Sequence, residues 1–343
     1  MKKLHNTTDK RLLKQRMLEN NEPRTTISFY KYHQIENPQE FRDQLYLNWT
    51  KLEVLGRVYV ASEGINAQIS VPTRNVDAFK ENLYSISFLN QVRLNVAVEH
   101  GKSFYTLKLK VRNKIVADGI EDPNFNPSNV GKYLSAEEFN KKMEDPNTVV
   151  VDMRNHYESE VGHFQNALLP DVDTFREELN IVEDILKTDK DKQILMYCTG
   201  GIRCEKASAY MKYKGFDNVY HLEGGIIKYA RDVQSNSLEN KFRGVNFVFD
   251  ERMAERVSDE VIAHCHQCGE AFDVHTNCAN LACHILFIQC DSCKEKYENC
   301  CSEECQSIIH LPIEEQRTLR KGKTPQRNVF KKGRFKGKNL PKD

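Results

Sequence analysis

Long apolar runs are missing from this 343-residue chain: no stretch of about 18 consecutive apolar residues occurs, so no segment is expected to span a membrane. The first 23 residues are basic and polar and lack the apolar centre of a secretory signal, which makes the cytoplasm the expected compartment. Net charge is almost nil, with 50 Lys and Arg against 49 Asp and Glu, so the chain as a whole is neither polyanion nor polycation. Nothing in it marks a nucleotide cofactor. Cysteine, by contrast, is plentiful. Eleven cysteines in a cytoplasmic chain point to catalysis and metal rather than to disulfides, and the length allows two or three domains.

The most informative segment is Met196-Tyr197-Cys198-Thr199-Gly200-Gly201-Ile202-Arg203-Cys204. Residues 194–197 read as a short buried strand and residues 205–213 as a helix. A cysteine between a strand end and a helix N-terminus faces backbone N–H groups and the positive end of the helix dipole. That setting favours thiolate, the nucleophilic form. Gly200 and Gly201 let the loop Thr199, Gly200, Gly201, Ile202 curl so that its amides converge on one anionic atom, with Arg203 expected to stabilise the charge. Cysteine-dependent phosphatases carry their arginine one residue further on, where this chain has Cys204. The six-residue loop from Cys198 to Arg203 is therefore too tight for phosphate and suits sulfur or another small group. Cys204 reads either as a packed residue of the first helical turn or as a resolving thiol for an oxidised Cys198. The plain alternative, an inert buried cysteine at a strand end, sits poorly with the two glycines.

The chain divides into a basic extension (1–24), a compact α/β unit (25–116), a linker rich in Pro, Gly, Asn and Asp (117–131), a second α/β domain (132–235), a cysteine-rich region (236–312) and a basic tail (313–343). In the first unit, residues 26–32 suit a strand, and Asn37-Pro38 opens a helix through Phe41, Leu45, Trp49 and Leu52. Residues 57–61 and 67–71 form a hairpin, Thr73 is expected to cap a second helix, and residues 92–98 and 106–111 supply further strand. The βαββαβ order predicts a ferredoxin-like sheet. The second domain alternates strands and helices, which predicts a parallel sheet covered on both faces, with the Cys198 loop at a strand's C-terminal end. From 320 to 342 there are ten Lys or Arg, interleaved with Phe330 and Phe335, so the tail is expected to be disordered and to touch phosphate-rich partners.

Nine cysteines fall between 265 and 305. The pairs Cys265/Cys268, Cys278/Cys283, Cys290/Cys293 and Cys301/Cys305 supply the ligands of two structural zinc ions, leaving Cys300 over. The interleaved order suggests that the first and third pairs share one ion and the second and fourth the other; a sequential pairing is equally lawful, and His264, His266, His275 or His284 could replace a cysteine. An iron–sulfur cluster is the rival, less suited to this spacing.

Several segments resemble known families. The loop resembles the rhodanese active-site loop, as do Val151-Asp152-Met153-Arg154-Asn155, Glu158 with Gly162-His163-Phe164, and Leu222-Glu223-Gly224-Gly225-Ile226. In that family the Asp and Arg are mostly structural, so Asp152, Arg154 and His163 are expected to be scaffold. The first domain resembles an acylphosphatase-like domain in outline and lacks its phosphate loop, which implies binding or positioning. The whole order, with Ala61-Ser62-Glu63-Gly64-Ile65-Asn66, Phe249-Asp250-Glu251-Arg252 and Cys265-His266-Gln267-Cys268-Gly269, resembles the rhodanese-type tRNA uridine(34) hydroxylases over nearly the whole chain. The fold implied is α/β multidomain: ferredoxin-like, rhodanese, then a small zinc-type domain. That resemblance implies oxygen-dependent hydroxylation of C5 of the wobble uridine, with molecular oxygen as co-substrate and tRNA, at its anticodon, as partner. The essential cysteine falls on Cys198. The ferredoxin-like sheet, Arg252, Arg256, the zinc domain and the tail are the candidate RNA contacts. The loop alone favours sulfur transfer through a persulfide on Cys198; a zinc-stabilised RNA-binding protein with a vestigial pocket is the third reading.

Overall fold

A computed structural model describes residues 4–99 and 101–321. Helix α1 (Lys10–Glu19) precedes strand β1 (Arg24–Tyr32). Asn37 accepts a hydrogen bond from the Glu40 N–H and Pro38 occupies the first turn, so α2 (Pro38–Lys51) begins where the sequence places it. The hairpin β2 (Leu55–Ala61) and β3 (Gly64–Pro72) follows, then α3 (Val76–Tyr84), β4 (Asn95–Val96) and β5 (Leu107–Val111). The sheet order β4-β1-β3-β2 is the ferredoxin-like one, and β5 adds a fifth strand parallel to β2.

Alternation along β1 sorts the two faces. Ile27 and Phe29 pack with Trp49, Phe79 and Leu83 beneath the helices. Ser28, Tyr30 and Tyr32 point the other way, beside Asn66 and Gln68 of β3, toward the second domain. Two expectations fail here. Thr73 does not cap α3: its hydroxyl meets that of Thr25 at 3.3 Å, and a single 3-10 turn at Thr73–Asn75 intervenes. The strand expected over 92–98 shrinks to two residues, because Val92 closes a turn onto the Leu89 carbonyl (3.0 Å) and β4 meets β1 only at Ile27 and Ser28.

The second domain runs β6 (Lys132–Leu134), α4 (Ala136–Met143), β7 (Thr148–Asp152), α5 (His156–Ser159), β8 (Gly162–Phe164), α6 (Phe175–Leu186), β9 (Gln193–Tyr197), α7 (Ile202–Tyr213), β10 (Val219–Leu222) and α8 (Gly225–Asn236). Four strands form a parallel sheet in the order β6-β10-β9-β7. Ile194, Met196 and Cys198 face α6 and α7, while Leu195 and Tyr197 face α4 and α8, so an unbroken apolar run serves a strand buried on both sides. Arg154 is fully enclosed and bidentate to Asp152 (2.8 and 2.7 Å), and Asp152 also accepts from the Tyr197 hydroxyl (2.8 Å). His163 bonds the Ser159 carbonyl (2.9 Å). These contacts tie strand ends together, as scaffold residues do. The 117–131 segment is pinned down: Asp118 is buried against Lys206.

The third region is sewn to the second. Strand β11 (Phe242–Phe247) pairs antiparallel with both β8 and β12 (Ala254–Arg256). The hairpin β13 (His275–Asn277) and β14 (Leu286–Ile288) leads to α9 (Asp291–Tyr297), α10 (Glu303–Ile309) and α11 (Ile313–Arg320). Helix α11 corrects the expectation of a structureless tail from 313: Glu314 and Glu315 in its first turn and Arg317 and Arg320 in its last complement the helix dipole. Residues 322–343, with Phe330, Phe335 and most of the tail's basic residues, lie outside the described residues. No helix among the described residues is long and apolar enough to cross a membrane.

Candidate active site

Strand β9 ends on Tyr197 and hands the chain to Cys198. Gly201 then takes a left-handed conformation (φ 97°), and α7 starts at Ile202, three residues before the sequence suggests. Arg203 and Cys204 therefore belong to the first helical turn, where the loop's amides and the positive helix end converge. The Gly201 N–H donates to the Cys198 sulfur at 3.1 Å. Beneath, the N–H groups of Ile226 and Ile227 bond the Cys198 and Thr199 carbonyls at 3.0 and 3.2 Å. This close approach requires Gly225, where a Cβ would lie 2.4 Å from the Cys198 oxygen.

Cys198 is fully buried, and burial alone would raise its pKa. The Cys204 thiol, the Arg203 charge and the backbone N–H groups of Cys204 and Gly201 outweigh burial and bring the pKa down from 9.0 to about 6. The sulfur is thus mostly thiolate at neutral pH. Burial and the Cys198 charge push Cys204 well up, so Cys204 keeps its proton and donates it toward Cys198.

Arg203 acts from a fixed station. Its guanidinium is bidentate to the fully buried Glu158 (2.6 and 2.8 Å) and reaches the Thr199 hydroxyl at 3.3 Å. Its charge stabilises the sulfur through space while its hydrogen bonds hold the loop. Glu158 entered the sequence reading only as a motif residue; nothing local showed that it would anchor Arg203. Glu178 went unremarked. It lies on the buried face of α6 among Phe175, Leu179 and Val182, with neither carboxylate oxygen hydrogen-bonded. Burial raises its pKa well above the usual carboxylate range, against the opposing pull of the Arg203 charge.

All three regions close over this loop. Tyr30 donates to Glu205 (3.1 Å), Tyr32 to the Ile202 carbonyl (3.4 Å) and Asn95 to the Gly200 carbonyl (3.3 Å). Lys206, one turn into α7, is buried between Glu63 (2.7 Å) and Asp118 (2.9 Å). Between the open face of the first sheet and the loop lies a cavity of about 270 Å³. Its wall includes Ser28, Gln68, Asn95, Cys198, Phe249 and Arg252. The two arginines expected to face RNA are committed elsewhere: Arg252 to Asp250 and Glu255 (both 2.5 Å), Arg256 to Asp273 (2.8 Å).

Farther off, eight cysteines form two groups, Cys265, Cys268, Cys290, Cys293 and Cys278, Cys283, Cys301, Cys305, each with its sulfurs within 4.8 Å of one another. The pairing is interleaved, both groups are cysteine alone, and Cys300 is buried outside them. A tetrahedral ion with Zn–S bonds of about 2.3 Å places its sulfurs about 3.8 Å apart. The Cys268–Cys290, Cys283–Cys301 and Cys301–Cys305 separations of 3.6, 3.7 and 3.7 Å fit that geometry.

The parallel sheet, the six-residue cysteine loop and the thiolate held by amides define a rhodanese-type protein with a ferredoxin-like domain over its site. Comparison with known families agrees. Residues 24–115 match the UPF0176 acylphosphatase like domain, residues 135–232 the Rhodanese-like domain and residues 243–306 the Rhodanase C-terminal family. A protein of Pectobacterium atrosepticum named tRNA uridine(34) hydroxylase is 60% identical over 333 residues, covering 96% of this chain and 94% of that protein. One of the same name from Photorhabdus laumondii is 57% identical over 335 residues, covering 97% and 95%. A rhodanese-like domain protein from Staphylococcus aureus, solved by crystallography, is 26% identical over 29% of this chain and 90% of that one, with a TM-score of 0.24. The chain belongs to the tRNA uridine(34) hydroxylase family and is an oxidoreductase with a rhodanese domain.

Proposed function

We propose that this protein hydroxylates C5 of the wobble uridine of tRNA in an oxygen-dependent reaction, with Cys198 as the reacting thiolate. The observation that carries this reading is the placement of that thiolate in the wall of a cavity with room for one heterocyclic ring, in a chain about 60% identical to proteins named for that activity. Sulfur transfer from a small donor needs no such roof over the loop. A base that reacts there must leave the anticodon stack and enter the cavity.

Addition of the Cys198 sulfur to C6 of uracil forms a C–S bond and shifts the C5–C6 electron pair onto C5, which becomes the nucleophilic carbon. One atom of molecular oxygen is bonded to C5; the other leaves as water, with two electrons from an external reductant and two protons. Loss of the C5 proton and of the thiolate restores the ring. Loop amides and the Arg203 charge stabilise the sulfur whenever it is anionic. Cys204, the nearest thiol, resolves Cys198 if its sulfur is oxidised to the sulfenic level. The two cysteine groups hold structural zinc, the protein works in the cytoplasm, and the anticodon region is what it binds.

Mass spectrometry of tRNA nucleosides from cells lacking the protein, complemented with wild-type protein or Cys198→Ser, tests this. Wild-type restores 5-hydroxyuridine derivatives and Cys198→Ser does not. Loss of a thiolated base would instead support sulfur transfer, and no change in either would favour a binding role.

A further inference from the structure

The cavity wall contains a pair of polar side chains that the protein leaves without partners. Thr26, Tyr30, Asn66, Asn95, Asn155, Thr199, Arg203, Asp250, Arg252 and Glu255 each hold at least one hydrogen bond inside the protein. Ser28 and Gln68 are the exceptions among the described residues. They face each other across the β1–β3 ladder and are half-buried on the same face of the sheet. A half-buried amide and hydroxyl with no partner in the protein are free to hydrogen-bond a ligand that enters the cavity. Phe104, Val248, Phe249 and Ile202 complete the wall with apolar surface of the kind that packs on the faces of a planar ring.

The set has a readable pattern. A glutamine amide offers an N–H donor beside a carbonyl acceptor, and the serine hydroxyl adds a further donor. Uracil presents the complement: an N3–H donor between two carbonyl acceptors, O2 and O4. Resting on the activity proposed above, we infer that Gln68 and Ser28 bind the imide edge of the flipped uracil and so turn its C5–C6 bond toward Cys198. The Gln68 carbonyl accepts from N3–H, its amide N–H donates to one ring carbonyl, and the Ser28 hydroxyl donates to the other. The first domain is on this account the base reader, and the second supplies the sulfur. No chemical step passes through either residue.

The test uses the full-length protein in the complemented strain. After induction, the rate at which 5-hydroxyuridine appears in tRNA is measured for wild-type, Gln68→Ala, Ser28→Ala and Ser28→Thr. Losing a hydrogen bond and leaving its partner unpaired in the cavity slows Gln68→Ala and Ser28→Ala by about tenfold or more, and Ser28→Thr, which keeps the hydroxyl, stays near wild-type. Purified variants keep the wild-type pH profile of Cys198 alkylation, which a general disturbance of the loop would move. Wild-type rates in both alanine variants would overturn the inference while leaving the activity intact. An equal loss in Ser28→Thr, or a displaced alkylation profile, would reduce the pair to a structural role. Failure of wild-type itself to restore the nucleoside would remove the activity reading, and this inference with it.

Discussion

The chain handles cysteine in two opposite ways. At Cys198 one sulfur is isolated from other thiolates and surrounded by backbone N–H groups, a guanidinium and a thiol that keeps its proton. In the third region eight sulfurs are crowded to within 4.8 Å of one another in two sets. The first arrangement makes a charge and stabilises it with protein dipoles, so the sulfur stays available. The second is a donor set that could hold a cation at its centre, where its sulfurs would be fully engaged. Reactivity and structure follow from what the neighbours are, not from the residue.

That contrast can be broken most severely from the metal side. Structural zinc contributes on the order of 10 kcal/mol to folding in small cysteine sites, so a strong chelator at neutral pH should unfold the region from 265 to 305. Circular dichroism should show the loss, and elemental analysis should return two zinc per chain before chelation; iron and sulfide in place of zinc would overturn the assignment. Cys198→Ser comes next. Hydroxylation should fall by on the order of a thousandfold or more, with zinc content unchanged.

The same variant reads the charge. The folded pKa of Cys198 is depressed, so its contribution to stability is complete above about 9 and lost as pH falls through about 6. The difference in denaturation midpoint between wild-type and Cys198→Ser should therefore grow as pH rises across that window. Glu158→Ala leaves the Arg203 guanidinium without its carboxylate and should cost about 3 kcal/mol, seen as a lower midpoint in urea. The smallest change is Cys204→Ala. Removing a donor to the thiolate should raise the Cys198 pKa by about one unit, followed by alkylation rate against pH.

Local signals were legible where the physics is local. Asn37-Pro38 marked the start of α2, the Cys198 strand and its two glycines marked the loop, and four short-spaced cysteine pairs marked two groups that could hold metal. What escaped depends on partners distant in sequence. The register of α7 rests on Gly201 turning left-handed against Tyr30, whose hydroxyl lies 3.0 Å from where a Cβ would stand. The role of Arg203 depends on Glu158, 45 residues away. The interleaved grouping, by contrast, was suggested by the order of the cysteine pairs, and the hairpin of β13 and β14 brings it about. Nothing local in β1 showed that its face with Ser28, Tyr30 and Tyr32 would cover the Cys198 loop.

Strand β8 belongs by sequence to the domain that holds Cys198 and by hydrogen bonding to the region that holds the two cysteine groups. Phe242 on β11 packs against Phe164 on β8 (5.3 Å), and Phe164 against Tyr197 (4.7 Å), the residue immediately before Cys198. A continuous row of rings thus joins the anchor of the region with the two cysteine groups to the Cys198 loop. On this packing, disturbing the region of the two cysteine groups should loosen the seat of Tyr197, and the two regions should unfold in one transition rather than in turn.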